Sequence, residues 1–287
     1  MPKKYPVAIV SDSSISLPQH LVDKYQVFLA PVQLTLGDVT YQDGIDISPD
    51  QFYRLLKDSP FVPKTAGVSP QSFQNVFDKA SKIADCLICI TMAEELSSTY
   101  HAAVLAANNA KTTSKGTDIY VVDSRTAGIA QGLIALEAGA ACLRKSTANQ
   151  TLELIKTISS AVKFVGFLET IEYLRRSGRV SSFQWLLASL IRTKPMLELS
   201  NGVISPIARP RTTKKAIHKL FSVMENALGD SPCRIAIAHA DSYTDAVHLY
   251  QLIENNFDCR DLFITDFTPV IGAHTGPGLL GCAFFKY

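Results

Sequence analysis

The sequence predicts an α/β protein of two domains, with an N-terminal three-layer α/β/α unit on a parallel sheet and a C-terminal α/β unit on a mixed sheet. Three observations lead there. In the first half, short β-branched apolar runs alternate with single amphipathic helices, the pattern of parallel strands joined by crossovers. In the second half the rhythm changes, and Asn201-Gly202 between two apolar runs is a strong hairpin signal. The length of 287 residues is about twice a domain of roughly 150 residues. The boundary is expected near residue 162, giving units 1–162 and 163–287. No flexible linker marks it, so the halves are expected to pack tightly.

Taken in order, Pro6 to Val10 reads as the first strand, followed by the polar segment Ser11-Asp-Ser-Ser14 and a helix from Pro18. Val27 to Leu36 reads as one strand, and Asp38 to Gly44 as an extended hairpin and turn. Ser48-Pro49 and Ser69-Pro70 each open a helix, with serine as N-cap and proline at the first position. The second of these helices is read as Gln71 to Ala84. Strand Cys86–Met92, helix Ser98–Lys111, strand Asp118–Val122, helix Thr126–Arg144 and a helix over 150–161 complete this half.

The second half opens with strand Phe164–Leu168, a short helix Glu169–Arg176 ended by Gly178, and an apolar helix Phe183–Arg192. Strands Met196–Leu199 and Val203–Ile207 flank the hairpin turn. A helix from Thr212 to Leu228, strand Arg234–His239, helix Tyr243–Asn255, strand Leu262–Phe267 and strand Leu280–Phe285 follow. No repeat of fixed period is present.

Composition narrows the class. At 47% hydrophobic and 19% charged residues, the chain can build a sizeable core and is not disordered as a whole. The most apolar helix, Ala127 to Cys142, is interrupted by Gln131 and Glu137, so no membrane span is expected. Met-Pro-Lys-Lys-Tyr runs straight into a strand with no signal-like apolar region, and the six scattered cysteines are read as reduced thiols; both point to the cytoplasm. Cys86 and Cys89 have redox or zinc spacing, but on a strand they point to opposite faces and cannot share a ligand.

Charge is uneven. Arg175 to Lys219 holds ten basic residues against Glu198 alone, a window of +9 in a chain of net +2. The window is either a solvated helix face or an electropositive surface for a phosphate, an anionic membrane or an acidic protein. Interleaved aromatics and nucleic-acid-binding signatures are absent, so no nucleic-acid partner is expected. The sequence also has no Gly-x-Ser-x-Gly elbow, Walker A loop, His-Glu-x-x-His or dinucleotide glycine fingerprint after its first strand.

Three polar clusters fall just beyond predicted strands, where α/β proteins bind ligands. Pro63-Lys-Thr-Ala-Gly-Val-Ser-Pro70 is read as a loop leading into a helix. Leu96-Ser-Ser-Thr-Tyr100 sits at a helix start, where free amides and hydroxyls suit an anion. Ile271 to Leu279 is read as a glycine-rich loop carrying His274. Each also has a structural reading: Thr65 and Ser97 as helix caps, His274 as a hydrogen-bonded loop residue. Asp12 and Asp123-Ser124 are read either as catalytic carboxylates or as Asx-type loop anchors.

Several short motifs, taken together and in order, carry a resemblance. They are Ile9-Val-Ser-Asp-Ser13, Pro31-Val-Gln-Leu-Thr35, Tyr41-Gln-Asp-Gly44, Pro63-Lys-Thr65, Leu96-Ser-Ser-Thr-Tyr100 and Val122-Asp-Ser124. Glu172-Tyr-Leu-Arg-Arg-Ser-Gly-Arg179, Lys194-Pro195, Arg211-Thr-Thr-Lys-Lys-Ala216 and His274-Thr-Gly-Pro-Gly278 complete the set. Across residues 7–285 the chain resembles the DegV family of bacterial fatty-acid-binding proteins, the lipid-carrier subunits of fatty acid kinases. The resemblance implies a two-domain fold that encloses one long-chain fatty acid between its domains. It implies that Thr65, Ser97 and His274 bind the carboxylate, and that Arg179 and Arg211 lie near the head group or on a partner-docking surface. The implied partner is a dihydroxyacetone-kinase-like fatty acid kinase that uses ATP to make an acyl phosphate, which feeds phospholipid synthesis. No metal or cofactor is implied.

This chain departs from the family pattern at the head-group positions. The family usually has Thr-Ser where Thr65-Ala66 stands, Gln-Pro at Gly67-Val68, and Leu-Ser-Gly-Thr at Leu96-Ser-Ser-Thr99. Ala66, Ser98 and Thr275 are therefore auxiliary positions, with Ser98 a replacement hydroxyl.

The chemistry fits such a ligand. Burying about fifteen methylenes contributes at most on the order of 12 kcal/mol, so the lining must be long and apolar. Phe183 to Ile191 is a candidate lining helix, or simply core. A buried carboxylate requires hydrogen-bond partners. Two other functions remain open: an acyl hydrolase using Ser97 and His274, and a carrier of another anionic lipid or isoprenoid. Transient contact with anionic membrane suits the basic window.

Overall fold

The computed structural model describes residues 4–113, 117–179 and 193–287. The N-terminal apolar run forms β1 (Tyr5–Asp12), longer than its apolar residues because Ser11 and Asp12 continue the ladder. A 3₁₀ turn at Ser13–Ile15 and α1 (Gln19–Lys24) follow. The run 27–36 is not one strand. Pro31, which has no N–H for a ladder, separates β2 (Phe28–Ala30) from β3 (Gln33–Leu36), and the two belong to different sheets.

Next come β4 (Val39–Gln42), α2 (Pro49–Asp58), β5 (Lys64–Ala66) and α3 (Pro70–Ala80). Ser48 caps α2 with a complete capping box to Gln51, and the Ser69 hydroxyl accepts from Ser72 N to cap α3. The latter helix stops at Ala80 because Ala84 already pairs with Tyr5 at the start of β6 (Ala84–Thr91). Then follow α4 (Thr99–Thr113), β7 (Asp118–Asp123), α5 (Ile129–Leu143) and α6 (Ala148–Ala161).

After these come β8 (Lys163–Phe167), α7 (Glu172–Ser177), β9 (Met196–Ser200) and β10 (Val203–Ala208), then α8 (Thr213–Leu228) and β11 (Cys233–His239). The chain closes with α9 (Tyr243–Glu254), β12 (Cys259–Asp266), α10 (Pro269–Thr275) and β13 (Leu280–Lys286). Asn201 and Gly202 both take positive φ, 50° and 77°, as the predicted hairpin turn requires. The helix read over Phe183–Arg192 lies outside the described residues.

Three sheets result. The first, β2-β1-β6-β7, is wholly parallel. The largest, β10-β9-β8-β13-β11-β12, is mixed, with β11 and β12 parallel and the other neighbours antiparallel. A small antiparallel sheet, β4-β3-β5, contains the hairpin expected around Asp38–Gly44 and adds a third strand that was not expected. Its third strand is only Lys64-Thr-Ala66, too short for a periodic signal.

Helix α5 is rich in alanine, glycine and leucine and buried on nearly every side, as expected of a helix apolar all round. It packs on β1 and reaches β11 and β13 of the largest sheet. Its two polar interruptions have partners. Buried Gln131 donates to Ser11 Oγ and to Asp12 Oδ2, both at 3.0 Å. Glu137 accepts from Arg234 of β11 at 2.5 Å, and the same guanidinium binds Asp261 at 2.6 Å. Cys86 and Cys89 fall in different core clusters, on opposite faces of β6. Among the described residues, no helix is long and apolar enough to cross a membrane.

Candidate functional site

The carboxyl ends of β2, β6 and β7 face the β8–β9 surface of the largest sheet, and a cavity of about 400 Å³ lies between them. Its volume falls within the usual range for small-molecule sites. The lining is mostly apolar: Leu168, Leu197, Leu199, Phe164 and Phe267 belong to it. Polar side chains gather at one part of the wall, from β5, the β6–α4 loop, α10 and the segment after α7.

Thr65 lies on β5, paired across the sheet with Leu34. It is not a helix cap, since Ser69 fills that role. His274 is not on a loop either: it occupies the last turn of α10. Pro269 starts that helix, the signal overlooked in the glycine-rich sequence, and Gly276 ends it at φ 73°. Gly272 lies within that helix, and it is glycine because Phe52 and Tyr53 leave no space for a side chain there. These two placements bring Thr65 Oγ1 within 2.7 Å of His274 Nε2. Burial and the nearby Arg179 charge push the His274 pKa down to about 4, so the ring is neutral at pH 7.

Ser97 lines the same cavity. Its hydroxyl accepts from Thr99 N at 3.2 Å, the bond of a helix-start residue, and lies 2.8 Å from Thr99 Oγ1. No hydrogen bond joins Ser97 to His274 among the described residues. Gly67 backs onto Ser97, Ser98 and Thr99, and a Cβ at Gly67 would lie 2.8 Å from Ser98 Oγ. Ser98 therefore occupies space that a side chain at position 67 would need. Ser98 and Ala66 are exposed where they line the cavity. Thr275 also lines it, but its hydroxyl donates back into the helix, to the Ile271 carbonyl at 2.9 Å.

Arg179 lines the cavity and donates to the Ser177 carbonyl at 2.6 Å. Arg211 is exposed and outside the lining, just before the Thr212 cap of α8. The basic window is partly neutralised by acids that precede it. Glu172 binds Arg175 and Arg176, each at 2.7 Å, and Glu169 pairs with Lys194. The candidate carboxylates Asp12 and Asp123 hold loops. Asp12 accepts from Ser14 N, Met92 N and Gln131, and Asp123 accepts from Arg125 N at 2.8 Å. The described residues contain no group of three or more side chains suited to a metal ion. The apolar lining from β8, β9 and the start of α10 was not singled out in the sequence. Its only signal is the alternate residues of buried strands, which core packing produces equally well.

A family model described as "Uncharacterised protein, DegV family" matches residues 6–287. DegV domain-containing protein SCO2569 of Streptomyces coelicolor is 31% identical over 96% of this chain and 96% of its own length. Among solved structures, TM841 of Thermotoga maritima, reported to reveal a fatty acid binding function, superposes with a TM-score of 0.86 at 26% identity, over 99% of this chain and all of that one. DegV of Bacillus subtilis, a fatty acid binding protein, gives 0.87 at 25% identity over 99% of this chain and all of that one. The chain belongs to the DegV family.

Proposed function

We propose, with DegV membership as the premise, that this protein is a carrier of one long-chain fatty acid, held in the cavity between the parallel and mixed sheets. The observation that carries this reading is the Thr65–His274 pair at the polar wall of an otherwise apolar cavity. An acyl chain gains from the apolar lining, while its carboxylate needs donors that offset the loss of water. The Thr65 hydroxyl donates to the carboxylate, with the Nε2–H tautomer of His274 donating to Thr65 Oγ1. Ser97 supplies a second hydroxyl, Arg179 a nearby positive charge and Ser98 an auxiliary hydroxyl at the mouth. The division into units 1–162 and 163–287 agrees with the largest sheet taking all its strands from the second.

The carrier is not itself an enzyme. It presents the carboxylate to a dihydroxyacetone-kinase-like fatty acid kinase in the cytoplasm, which phosphorylates it to an acyl phosphate for phospholipid synthesis. Arg211 lies on the docking surface, and transient contact with anionic membrane delivers the acid. The hydrolase alternative is weakened by the partners present: His274 pairs with Thr65 and Ser97 with Thr99, so the nucleophile–base hydrogen bond is missing. Titration of delipidated protein with palmitate and with hexadecanol tests the reading. Tight saturable binding of palmitate, much weaker for the alcohol, is expected. Equal affinity for both would remove the proposed role of the carboxylate.

A further inference from the structure

Two glycines face each other in the sheet that borders the cavity. Gly166 on β8 and Gly281 on β13 are a register pair. Neither has a positive φ, so it is space rather than backbone conformation that favours glycine. The ring of Phe164, two residues before Gly166 on the same face, reclines over both. A Cβ at Gly281 would meet Phe164 Cζ at 2.7 Å, and one at Gly166 would meet it at 3.2 Å. Phe267 then closes on the ring edge-on, with centroids 6.0 Å apart and an interplanar angle of 81°. Phe267 is itself almost completely buried.

Strand direction orders these residues along β8. Phe167 pairs with Leu280, so Leu168 and Leu279 stand toward the α10 turn that carries His274. Phe164 lies four residues back along β8, about 13 Å from Leu168 at the usual rise per residue. Leu199, its partner on β9, also lines the cavity. A ring that stood upright at this point would project into the cavity; without Cβ atoms beneath it, the ring can lie flat.

We propose that Phe164, laid on the Gly166–Gly281 pair and held edge-on by Phe267, forms the blind end of the cavity and sets the length of acyl chain it accepts. This assignment rests on the fatty-acid reading above.

The test is a length profile. Delipidated wild-type, Gly281→Ala, Phe164→Ala and Gly281→Ala/Phe164→Ala proteins are titrated with myristate, palmitate, stearate and arachidate. In Gly281→Ala the raised ring shortens the cavity, and the stearate-to-myristate affinity ratio falls by more than about tenfold, given roughly fourfold per buried methylene. Phe164→Ala shifts the preference toward stearate and arachidate. The double variant recovers long-chain binding, because the added methyl no longer has a ring to lift. A folded Gly281→Ala protein with the wild-type profile, or a double variant as short-chain-selective as Gly281→Ala, overturns the assignment. If Gly281→Ala does not fold, Phe164→Ala alone decides, and an unchanged profile there also overturns it. A wild-type protein that binds none of the four acids removes the fatty-acid reading itself, an outcome distinct from a wild type that binds and variants that do not shift.

Discussion

Thr65 on β5 and His274 at the end of α10 are 209 residues apart in the chain, and their side chains meet at 2.7 Å. The small antiparallel sheet brings the first to the cavity, and a helix opened by Pro269 brings the second. With the ring neutral, the pair can relay a hydrogen bond toward an anion without adding a second charge.

Replacing Thr65 by valine keeps the shape and removes the hydroxyl. Hydrogen bonds to charged groups contribute about 1.5–3 kcal/mol. Affinity for palmitate should therefore fall about ten- to a hundredfold, with little change for hexadecanol. Displacement titrations at fixed salt would measure both.

The His274 ring gives the unliganded protein a pH-dependent stability. Unfolded, it takes up a proton below its ordinary value of 6.5; folded, only below about 4. Between these values the unfolded chain binds more protons, so stability falls as pH falls. The contribution is at most about 3 kcal/mol, lessened by the partial exposure of the ring. Urea denaturation from pH 4 to 7 should show a gap between wild type and His274→Gln that narrows at low pH. A bound carboxylate raises the ring's pKa and flattens this dependence.

Asp43 acts in the opposite sense. Burial, reinforced by the charge of Asp12, raises its pKa to about 7, although the Ser13 hydroxyl donates to it at 2.7 Å. The folded state therefore holds a proton that the unfolded state releases, and this stability is lost as pH rises through 7. Asp43→Asn should gain on wild type between pH 6 and pH 8, read by thermal denaturation at each pH.

Asp12 holds β1, the start of the loop after β6, and α5 together through Ser14, Met92 and Gln131. Asp12→Ala leaves these buried donors without an acceptor and should cost about 3–5 kcal/mol, measured by urea unfolding. An active-site role would instead lower ligand affinity at unchanged stability.

Arg179 and Arg211 should separate. Arg179→Ala removes positive charge beside His274 and should lower palmitate affinity, most at low salt. Arg211→Ala, exposed and outside the cavity, should leave lipid retention unchanged while slowing phosphorylation by a fatty acid kinase. Radiolabelled ATP assays and extracted-lipid counts on both variants would check this, and equal losses for Arg211→Ala would remove its docking role.

Much of the fold was legible because it rests on local signals. Ser48-Pro49, Ser69-Pro70 and Asn201-Gly202 encode their caps and turn within a few residues. What was missed depended on distant partners. Pro31 divides two strands because different sheets claim the halves, and Lys64–Ala66 becomes a strand only by pairing with β3. Gly272 serves packing rather than a turn, since Phe52 and Tyr53 fill the space a side chain would need. Thr65 and His274 were legible as ligand candidates from the family motifs, but their mutual hydrogen bond was not. Nor was the cavity floor, since the opposition of Gly166 and Gly281 exists only once β8 pairs with β13.

The most direct test of the carrier reading compares native and denatured masses of protein purified without added lipid, with the released material extracted and identified. The account predicts a native mass greater by one long-chain fatty acid, at near one-to-one stoichiometry. A native mass equal to that of the chain alone, in a protein that also takes up neither palmitate nor oleate, would contradict it.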